Sequence, residues 1–260
     1  MFDSNVFCFM LWATIRRTLK YLFIAFILII FTWECCIKRY VYQYFFATPF
    51  NGKSVISDNE LYIDLPPDSF RKMTVSGHAV KFKLLKKYQA TGRIIYVDRY
   101  SNPIGKYYRD SSTDGAATVY DEVAPQDLTF VVGDFAKFPK VKGSHEYRAG
   151  GFDYDDEYTR KIYRKYQHLY DTHLTNIHTI AASSNIQRGL DVLKAGEIAT
   201  LEGYLIYWET RLPNGAIMNF KSAVFAGEKH QKIKYGGIAG VGLCKQLLLT
   251  KITFDGYTFE

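Results

Sequence analysis

The chain has 260 residues, of which 33 are Lys or Arg, 26 are Asp or Glu, and 17% are aromatic. This length allows one sizeable domain or two small ones, and the aromatic content favours a packed, strand-rich core over a disordered chain. The net charge of +7 is mild and fits weak attraction to anionic head groups or glycans better than a nucleic-acid-binding surface, so we expect no nucleic acid partner.

The first element is an apolar run, Tyr21–Trp33, that contains no charged residue, glycine or proline. Flanking residues extend it to Thr18–Ile37, which reaches the usual membrane-spanning length of about 20 residues. The Thr-Trp-Glu sequence before Cys35 lacks the small residues that signal peptidase requires. The run therefore predicts an uncleaved membrane anchor, with a cleaved signal peptide or a buried helix of a soluble protein as alternatives.

Basic residues flank this run on both sides, with Arg16, Arg17 and Lys20 before it and Lys38 and Arg39 after it. Positively charged residues tend to stay in the cytoplasm. The slight excess on the N-terminal side predicts a single-pass protein of the inner membrane, with a cytoplasmic N-terminus and a periplasmic C-terminal domain.

The composition changes again after residue 40. Turn-forming residues at Pro49–Ser54 and Asp64–Ser69 interrupt the chain, and apolar β-branched residues become frequent further on. We therefore predict a membrane anchor at residues 1–40, a stalk or linker at 41–78, and a β-rich soluble domain at 79–260.

The β-rich region contains six segments whose alternating or continuous apolar residues predict strands. These segments are 79–87, 89–99, 127–132, 198–208, 217–225 and 244–254. Gly203 predicts a bulge or bend within the fourth of them. Two polar or glycine-rich segments, 99–115 and 227–242, predict loops. The glycines of the second segment do not indicate a phosphate-binding loop, because no Lys-Ser or Lys-Thr pair follows them.

Two segments predict helices. Asp155–Asp171 has an apolar stripe at helical spacing and acidic residues at its start, and a capping box at Ser184–Gln187 begins a shorter helix that stops at Gly196. The acidic cluster at 153–157 lacks the spacing of a calcium loop, so we predict no metal site and no cofactor. The predicted fold is α+β and mainly β: an N-terminal single-pass transmembrane helix, then a barrel-like or curled-sheet domain with one or two packed helices.

Three polar residues form the candidate site. Cys244 begins the last predicted strand and is the one cysteine of the predicted soluble domain. A cysteine nucleophile needs a base within hydrogen-bond reach and a third group that orients the base. His178 is the candidate base and Asn176 the candidate orienting group. The structural alternative makes Cys244 a small buried hydrophobe and His178 a capping or packing residue.

Several short segments resemble a family of uncharacterised bacterial membrane-anchored or exported proteins. They are ATGRI at Ala90–Ile94, VAPQDLTFVVGDFA at Val123–Ala136, NIHTIAA at Asn176–Ala182, LKAGEIATLEGYL at Leu193–Leu205 and GVGLC at Gly240–Cys244. The third and the fifth resemble the family's Asn-x-His-x-Ile and Gly-x-Gly-x-Cys motifs. Because no activity is established for that family, the resemblance implies placement and architecture without a reaction.

A weaker resemblance is to sortases, which are membrane-anchored β-barrel transpeptidases with a histidine that precedes the nucleophilic cysteine. His178 and Cys244 occur in that order. The third catalytic group of sortases, an arginine after the cysteine, has no counterpart between Lys245 and Glu260.

The leading functional hypothesis is a membrane-anchored envelope protein, attached through Thr18–Ile37, that binds a protein partner or an envelope component without catalysis. The alternative is a thiol-dependent, sortase-like hydrolase or transpeptidase that uses Cys244 and His178. A barrel-like binder of single-stranded nucleic acid is the third hypothesis, and it requires the domain to face the cytoplasm.

Overall fold

The computed structural model describes residues 4–67, 69–100, 116–146, 149–212, 214–224 and 244–260. The chain divides into two compact units, Met1–Phe46 and Ala47–Glu260. The predicted anchor lies within the first unit, and the second unit begins inside the segment that the sequence predicts as a stalk.

The first unit is helical. Helix α1 (Ser4–Thr32) continues through a π-helical turn (Trp33–Ile37) into helix α2 (Lys38–Phe46). Between Leu19 and Phe31, the large apolar side chains of α1 are exposed. Among the residues that the structure describes, no helix combines the length and the apolar character needed to cross a membrane.

The second unit is mainly β, as the sequence predicts. Its described strands are β1 (Thr48–Pro49), β2 (Leu61–Asp64), β3 (Phe70–Val75), β4 (His78–Arg99), β5 (Gln126–Val131), β6 (Gly143–Glu146), β7 (Ala149–Phe152), β8 (Leu174–Ala181), β9 (Ile198–Arg211), β10 (Ile217–Lys221), β11 (Cys244–Phe254) and β12 (Tyr257–Phe259). Its described helices are α3 (Ala116–Val123), α4 (Gly133–Ala136), α5 (Glu157–Tyr166), α6 (Tyr170–His173) and α7 (Ser184–Val192), with a 3₁₀ turn (Gln167–Leu169) before α6.

Five of these strands close into a ring in the order β4, β5, β8, β11, β9 and back to β4. The β8–β11 pair is parallel, and the other four pairs are antiparallel. Closure of the ring gives each of these strands a neighbour on both edges, so a five-stranded barrel forms the centre of the unit.

Apolar side chains that are fully buried fill the inner face of the barrel. They include Ile94, Leu128, Ile177, Leu205 and Leu247. Helix α7 packs against β11 and β12, and a Cβ atom added at its Gly189 would lie 2.9 Å from the Phe259 ring. The Ser183 side chain caps α7 by accepting a hydrogen bond from the Ile186 amide at 3.2 Å.

Two further apolar clusters cover the outer face of the barrel. The first packs α3 and β10 onto the wall and includes Tyr120, Ile180, Trp208, Met218 and Leu248. The second packs α4, α5 and the β6–β7 hairpin onto it and includes Val131, Phe135, Phe152 and Leu174. Side chains on the outer face of β5 and β8 are therefore as buried as those inside the barrel.

The region predicted as a stalk, residues 41–78, contributes strands to the sheet instead. β1 pairs with β12, and both β2 and β3 pair with β4. The turn-forming residues lie between these short strands. The segments are strands because their backbone groups form hydrogen bonds with the long strand β4 or with β12.

The two strands predicted at 79–87 and 89–99 are one strand, β4, with an irregularity between Leu84 and Lys86. The bend predicted at Gly203 corresponds to an irregularity in the facing strand, between Leu249 and Lys251. A Cβ atom at Gly203 would lie 2.2 Å from the Leu248 carbonyl oxygen, so the close approach of these strands requires glycine.

Other elements differ from the prediction in extent. The helix predicted at 155–171 is broken into α5, the 3₁₀ turn and α6, and the capping residue of α7 is Ser183 rather than Ser184. Strand β8 and helix α3 were not predicted. Most of the loop predicted at 99–115 and all of the glycine-rich loop at 227–242 lie outside the described residues.

Candidate active site

The register of three neighbouring strands assembles the candidate site on the outer face of the barrel wall. The parallel pairing of β8 and β11 sets Cys244 beside Asn176. On the other edge of β8, the antiparallel pairing sets Asp127 opposite His178. Alternate residues of a strand face the same side, so all four residues share one face of the sheet.

An ion pair between His178 and Asp127 forms the centre of the site. His178 Nδ1 lies 2.5 Å from Asp127 Oδ1, and both side chains are buried. The Tyr100 hydroxyl donates a hydrogen bond to the second carboxylate oxygen, Oδ2, and Asn176 Nδ2 donates to the same oxygen at 3.4 Å. These contacts hold the carboxylate in place, and the carboxylate in turn orients the imidazole ring.

Cys244 completes this chain of contacts. Asn176 Nδ2 lies 3.7 Å from its Sγ atom, and Cys244 is near enough to His178 to help raise the pKa of the imidazole. Because Nδ1 of His178 faces Asp127, Nε2 is the ring nitrogen left for the thiol. Cys244 is partly exposed while the other three residues are buried, so the thiol is the most accessible group of the site.

The electrostatics of the site favour a charged imidazole. Burial by itself lowers the pKa of His178, but the charge and hydrogen bond of Asp127, with a further contribution from Cys244, raise the pKa to about 10. The imidazole therefore holds its proton at neutral pH, with the carboxylate of Asp127 as its counter-charge.

A layer of hydrogen-bonded and aromatic side chains packs around His178. Gln246 is beside it in the register of β8 and β11. Its Oε1 accepts a hydrogen bond from Trp208 Nε1 at 3.0 Å, and its Nε2 donates to the Tyr120 hydroxyl at 3.0 Å. The Tyr120 ring meets the His178 ring edge-on, with centroids 5.6 Å apart. This layer restricts the rotation of the imidazole ring.

The structure brings together all three residues predicted from the sequence: Cys244, His178 and Asn176. The residue opposite His178, however, is Asp127, for which the sequence predicts only a place in a strand. An acidic residue next to the apolar run of β5 was the available signal, because a carboxylate on a buried strand requires a partner. No sequence pattern indicates the contribution of Tyr100. Its contact with Asp127 depends on the direction that the backbone takes after the last residue of β4.

The acidic cluster at 153–157 lies at the start of α5. Asp156 caps α5 by accepting a hydrogen bond from the Thr159 amide at 2.9 Å. Within the described residues, no group of three or more His, Cys, Asp or Glu side chains is arranged to hold a metal ion.

Comparisons with protein-family models, with curated proteins and with solved structures found no match to this chain. The resemblance to exported bacterial proteins therefore stays a prediction, and the proposals below rest on the geometry of the chain.

Proposed function

We propose that this protein is a thiol-dependent hydrolase or transpeptidase, with Cys244 as the nucleophile, His178 as the imidazolium partner that gives and takes protons, and Asp127 as the orienting group. The observation that carries the proposal is the continuous chain of contacts from the thiol through the imidazole to a buried carboxylate. A cysteine nucleophile is activated by such a base, and a carboxylate fixes the tautomer of the base and stabilises its charged form.

The reaction follows from these positions. Because His178 already holds its proton at neutral pH, we propose that Cys244 reacts as the thiolate of a thiolate–imidazolium pair. The thiolate attacks the carbonyl carbon of an acyl substrate. A carbon–sulfur bond forms, the bond to the leaving group breaks, and the leaving group takes the proton from the imidazolium. Water or an amine then attacks the thioester and gives a proton to the imidazole, the carbon–sulfur bond breaks, and the thiolate–imidazolium pair is restored. The identity of that acceptor decides between hydrolysis and transpeptidation.

The arrangement differs from that of sortases, which the sequence weakly resembles. The strand that follows Cys244 carries no arginine, and Asp127 occupies the third position of the site instead. We therefore propose acyl transfer by a Cys-His-Asp set. Asn176, predicted as the orienting group, supports the carboxylate and the sulfur from the side.

The test is alkylation of Cys244 by iodoacetamide, with Cys8, Cys35 and Cys36 replaced by serine and the modified site identified by mass spectrometry. We expect the parent protein to react at pH 7 at least tenfold faster than either His178→Gln or Asp127→Asn. The matched control is Asp156→Asn, which removes the ion pair with Lys142 at the start of α5 and is expected to leave the rate unchanged.

Hydrogen exchange on each variant separates lost reactivity from lost folding, because an unfolded variant exposes Cys244 and loses protection throughout. Equal rates in the parent and both folded variants would contradict the proposal. So would a thiol that reacts only above about pH 8, as an ordinary cysteine does.

We also propose that the N-terminal helix attaches the chain to the inner membrane, with its N-terminus in the cytoplasm and the barrel in the periplasm. The exposed apolar side chains between Leu19 and Phe31, together with the basic residues on either side, support this proposal. A reporter fused after Glu260 tests the orientation, and extraction at alkaline pH tests the attachment. A cytoplasmic readout, or release by alkaline carbonate, would contradict it.

A second candidate function is binding of a protein or an envelope component without catalysis. The five-stranded ring favours it, because OB-fold barrels of this size bind oligosaccharides or oligonucleotides on their walls and loops. Cross-linking from the barrel in cells is then expected to recover a discrete partner, and a Cys244→Ser variant to recover it equally. Capture of nothing would count against this candidate.

A further inference from the structure

A second exposed feature lies on the part of the sheet that β3, β4, β9 and β10 form together. The registers place Phe70, Lys83, Tyr207 and Lys221 in one row across these four strands, and Lys72, Lys81, Glu209 and Asn219 in the next. Arg211 and Ile217 follow in a third row. We name these ten residues the basic face.

The basic face carries an excess of positive charge. It has five cations, Lys72, Lys81, Lys83, Arg211 and Lys221, and Glu209 is its one carboxylate. Glu209 lies 3.4 Å from Lys81 Nζ and accepts a hydrogen bond from the Tyr207 hydroxyl at 3.2 Å. The face as a whole therefore complements an anionic partner.

Exposed apolar side chains lie at both edges of the basic face. Phe70 on β3 is 48% exposed, and Ile217 on β10 is 50% exposed. The ammonium groups of Lys81 and Lys83 lie 5.4 and 5.8 Å from the centre of the Phe70 ring. Apolar side chains framed by lysines are typical of surfaces that insert shallowly into a bilayer interface while their cations reach the head groups.

We propose that the basic face docks on the anionic lipid head groups of the membrane. Four neighbouring strands span about 14 Å, at about 4.8 Å per strand, and present their cations on one broad surface. A single-stranded nucleic acid would need several exposed aromatic rings on which bases stack. This face offers Phe70, whereas Tyr207 is half-buried and bonded to Glu209. The proposal goes beyond the thiol chemistry, and it rests on the membrane attachment proposed above.

The test uses the full chain in nanodiscs of phosphatidylcholine, either alone or with about one-third phosphatidylglycerol. A water-soluble amine-acylating reagent modifies exposed lysines, and mass spectrometry gives the rate at each position. We expect Lys72, Lys83 and Lys221 to react at least threefold more slowly in the anionic discs, and this protection to disappear in 0.5 M salt. The exposed Lys161 and Lys165 on α5 are the internal control and are expected to react equally in both discs.

Charge-reversal variants test whether the lysines of the basic face cause the protection. A Lys83→Glu/Lys221→Glu variant is expected to lose the protection at Lys72, whereas Lys161→Glu/Lys165→Glu is expected to retain it. Equal rates in both lipid compositions would overturn the proposal, as would protection by a single-stranded oligonucleotide in discs without anionic lipid. Failure of the chain to enter either disc would instead contradict membrane attachment, which separates the two proposals.

Discussion

Two buried charged clusters occupy opposite faces of the same strands. Cys244 and Lys245 are consecutive in β11, so their side chains point to opposite sides of the barrel wall. On the inner face, Lys245 Nζ lies 3.1 Å from Glu60. On the outer face, His178 lies beside Asp127 and Cys244. Both clusters are buried, and each pairs a cationic side chain with a carboxylate. They differ in the group at which the chain of contacts stops.

The inner cluster is closed by its own hydrogen bonds. The hydroxyl groups of Tyr62 and Tyr88 both donate to Glu60, and Lys245 donates to the Thr175 hydroxyl at 3.0 Å. The outer cluster ends instead on a partly exposed sulfur atom. A buried ion pair whose atoms form hydrogen bonds to neighbouring side chains fits a structural role. An ion pair that contacts a nucleophilic sulfur atom fits a role in catalysis.

The largest effect is expected from breaking the inner pair. Glu60→Ala leaves the charge of Lys245 buried without its counter-ion, and we expect it to lower the free energy of unfolding by about 3–5 kcal/mol. Urea denaturation measures this loss. At urea concentrations where the variant is folded, alkylation of Cys244 is expected to proceed as in the parent protein, because the inner cluster lies on the opposite side of the barrel wall from Cys244.

Two further variants test this reading of the inner pair. Glu202→Ala removes a partly exposed partner of Lys251, 3.2 Å away, and is expected to cost less than about 1 kcal/mol. Lys245→Met with Glu60→Gln removes both charges and keeps an acceptor for the tyrosines, so it is expected to recover at least half of the loss. A double variant as unstable as Glu60→Ala would show that the charge pair is not the cause.

A smaller, pH-dependent effect is expected at the outer pair. The pKa of His178 is raised to about 10 in the folded protein, against about 6.5 for an unfolded histidine. The stabilising contribution of His178 is therefore complete below about pH 6.5 and is lost as the pH rises through about 10. The stability difference between the parent and His178→Gln is expected to shrink by a few kcal/mol over this range.

Denaturation curves collected between pH 6 and pH 10 measure this difference. Gln167→Ala, in the exposed 3₁₀ turn before α6, is the control; it changes no titratable group and is expected to show a flat difference. If the stability difference for His178→Gln stayed constant across the range, the ion pair with Asp127 would not exist in solution.

The sequence predicted those parts of the molecule in which local pattern and tertiary structure agree. The strands at β5, β9 and β11 follow from apolar alternation, and the last of them matches its predicted bounds, Cys244–Phe254. The residues 41–78 were misassigned because short strands with turn residues between them have the composition of a linker. Their role depends on pairing with β4, which no local pattern reveals.

The sequence likewise predicted only part of the candidate site. Cys244, His178 and Asn176 could be selected because their residue types suit thiol chemistry. Their proximity depends on the parallel pairing of β8 with β11, which joins residues 68 positions apart at Asn176 and Cys244. The partner Asp127 comes from a third strand, so only the closed order of the barrel places it opposite His178.

The smallest effect is expected at the helix that packs against the barrel, and it tests whether the two faces act independently. Ser183→Ala removes the hydroxyl that accepts from the Ile186 amide, and we expect it to lower the free energy of unfolding by about 1 kcal/mol. Because α7 packs on the strands that enclose the inner core, its loss of stability should leave the alkylation rate of Cys244 at pH 7 unchanged. A variant that lost reactivity in proportion to stability would instead mean that the thiol site depends on global folding alone, and the distinction between a structural inner face and a chemical outer face would fail.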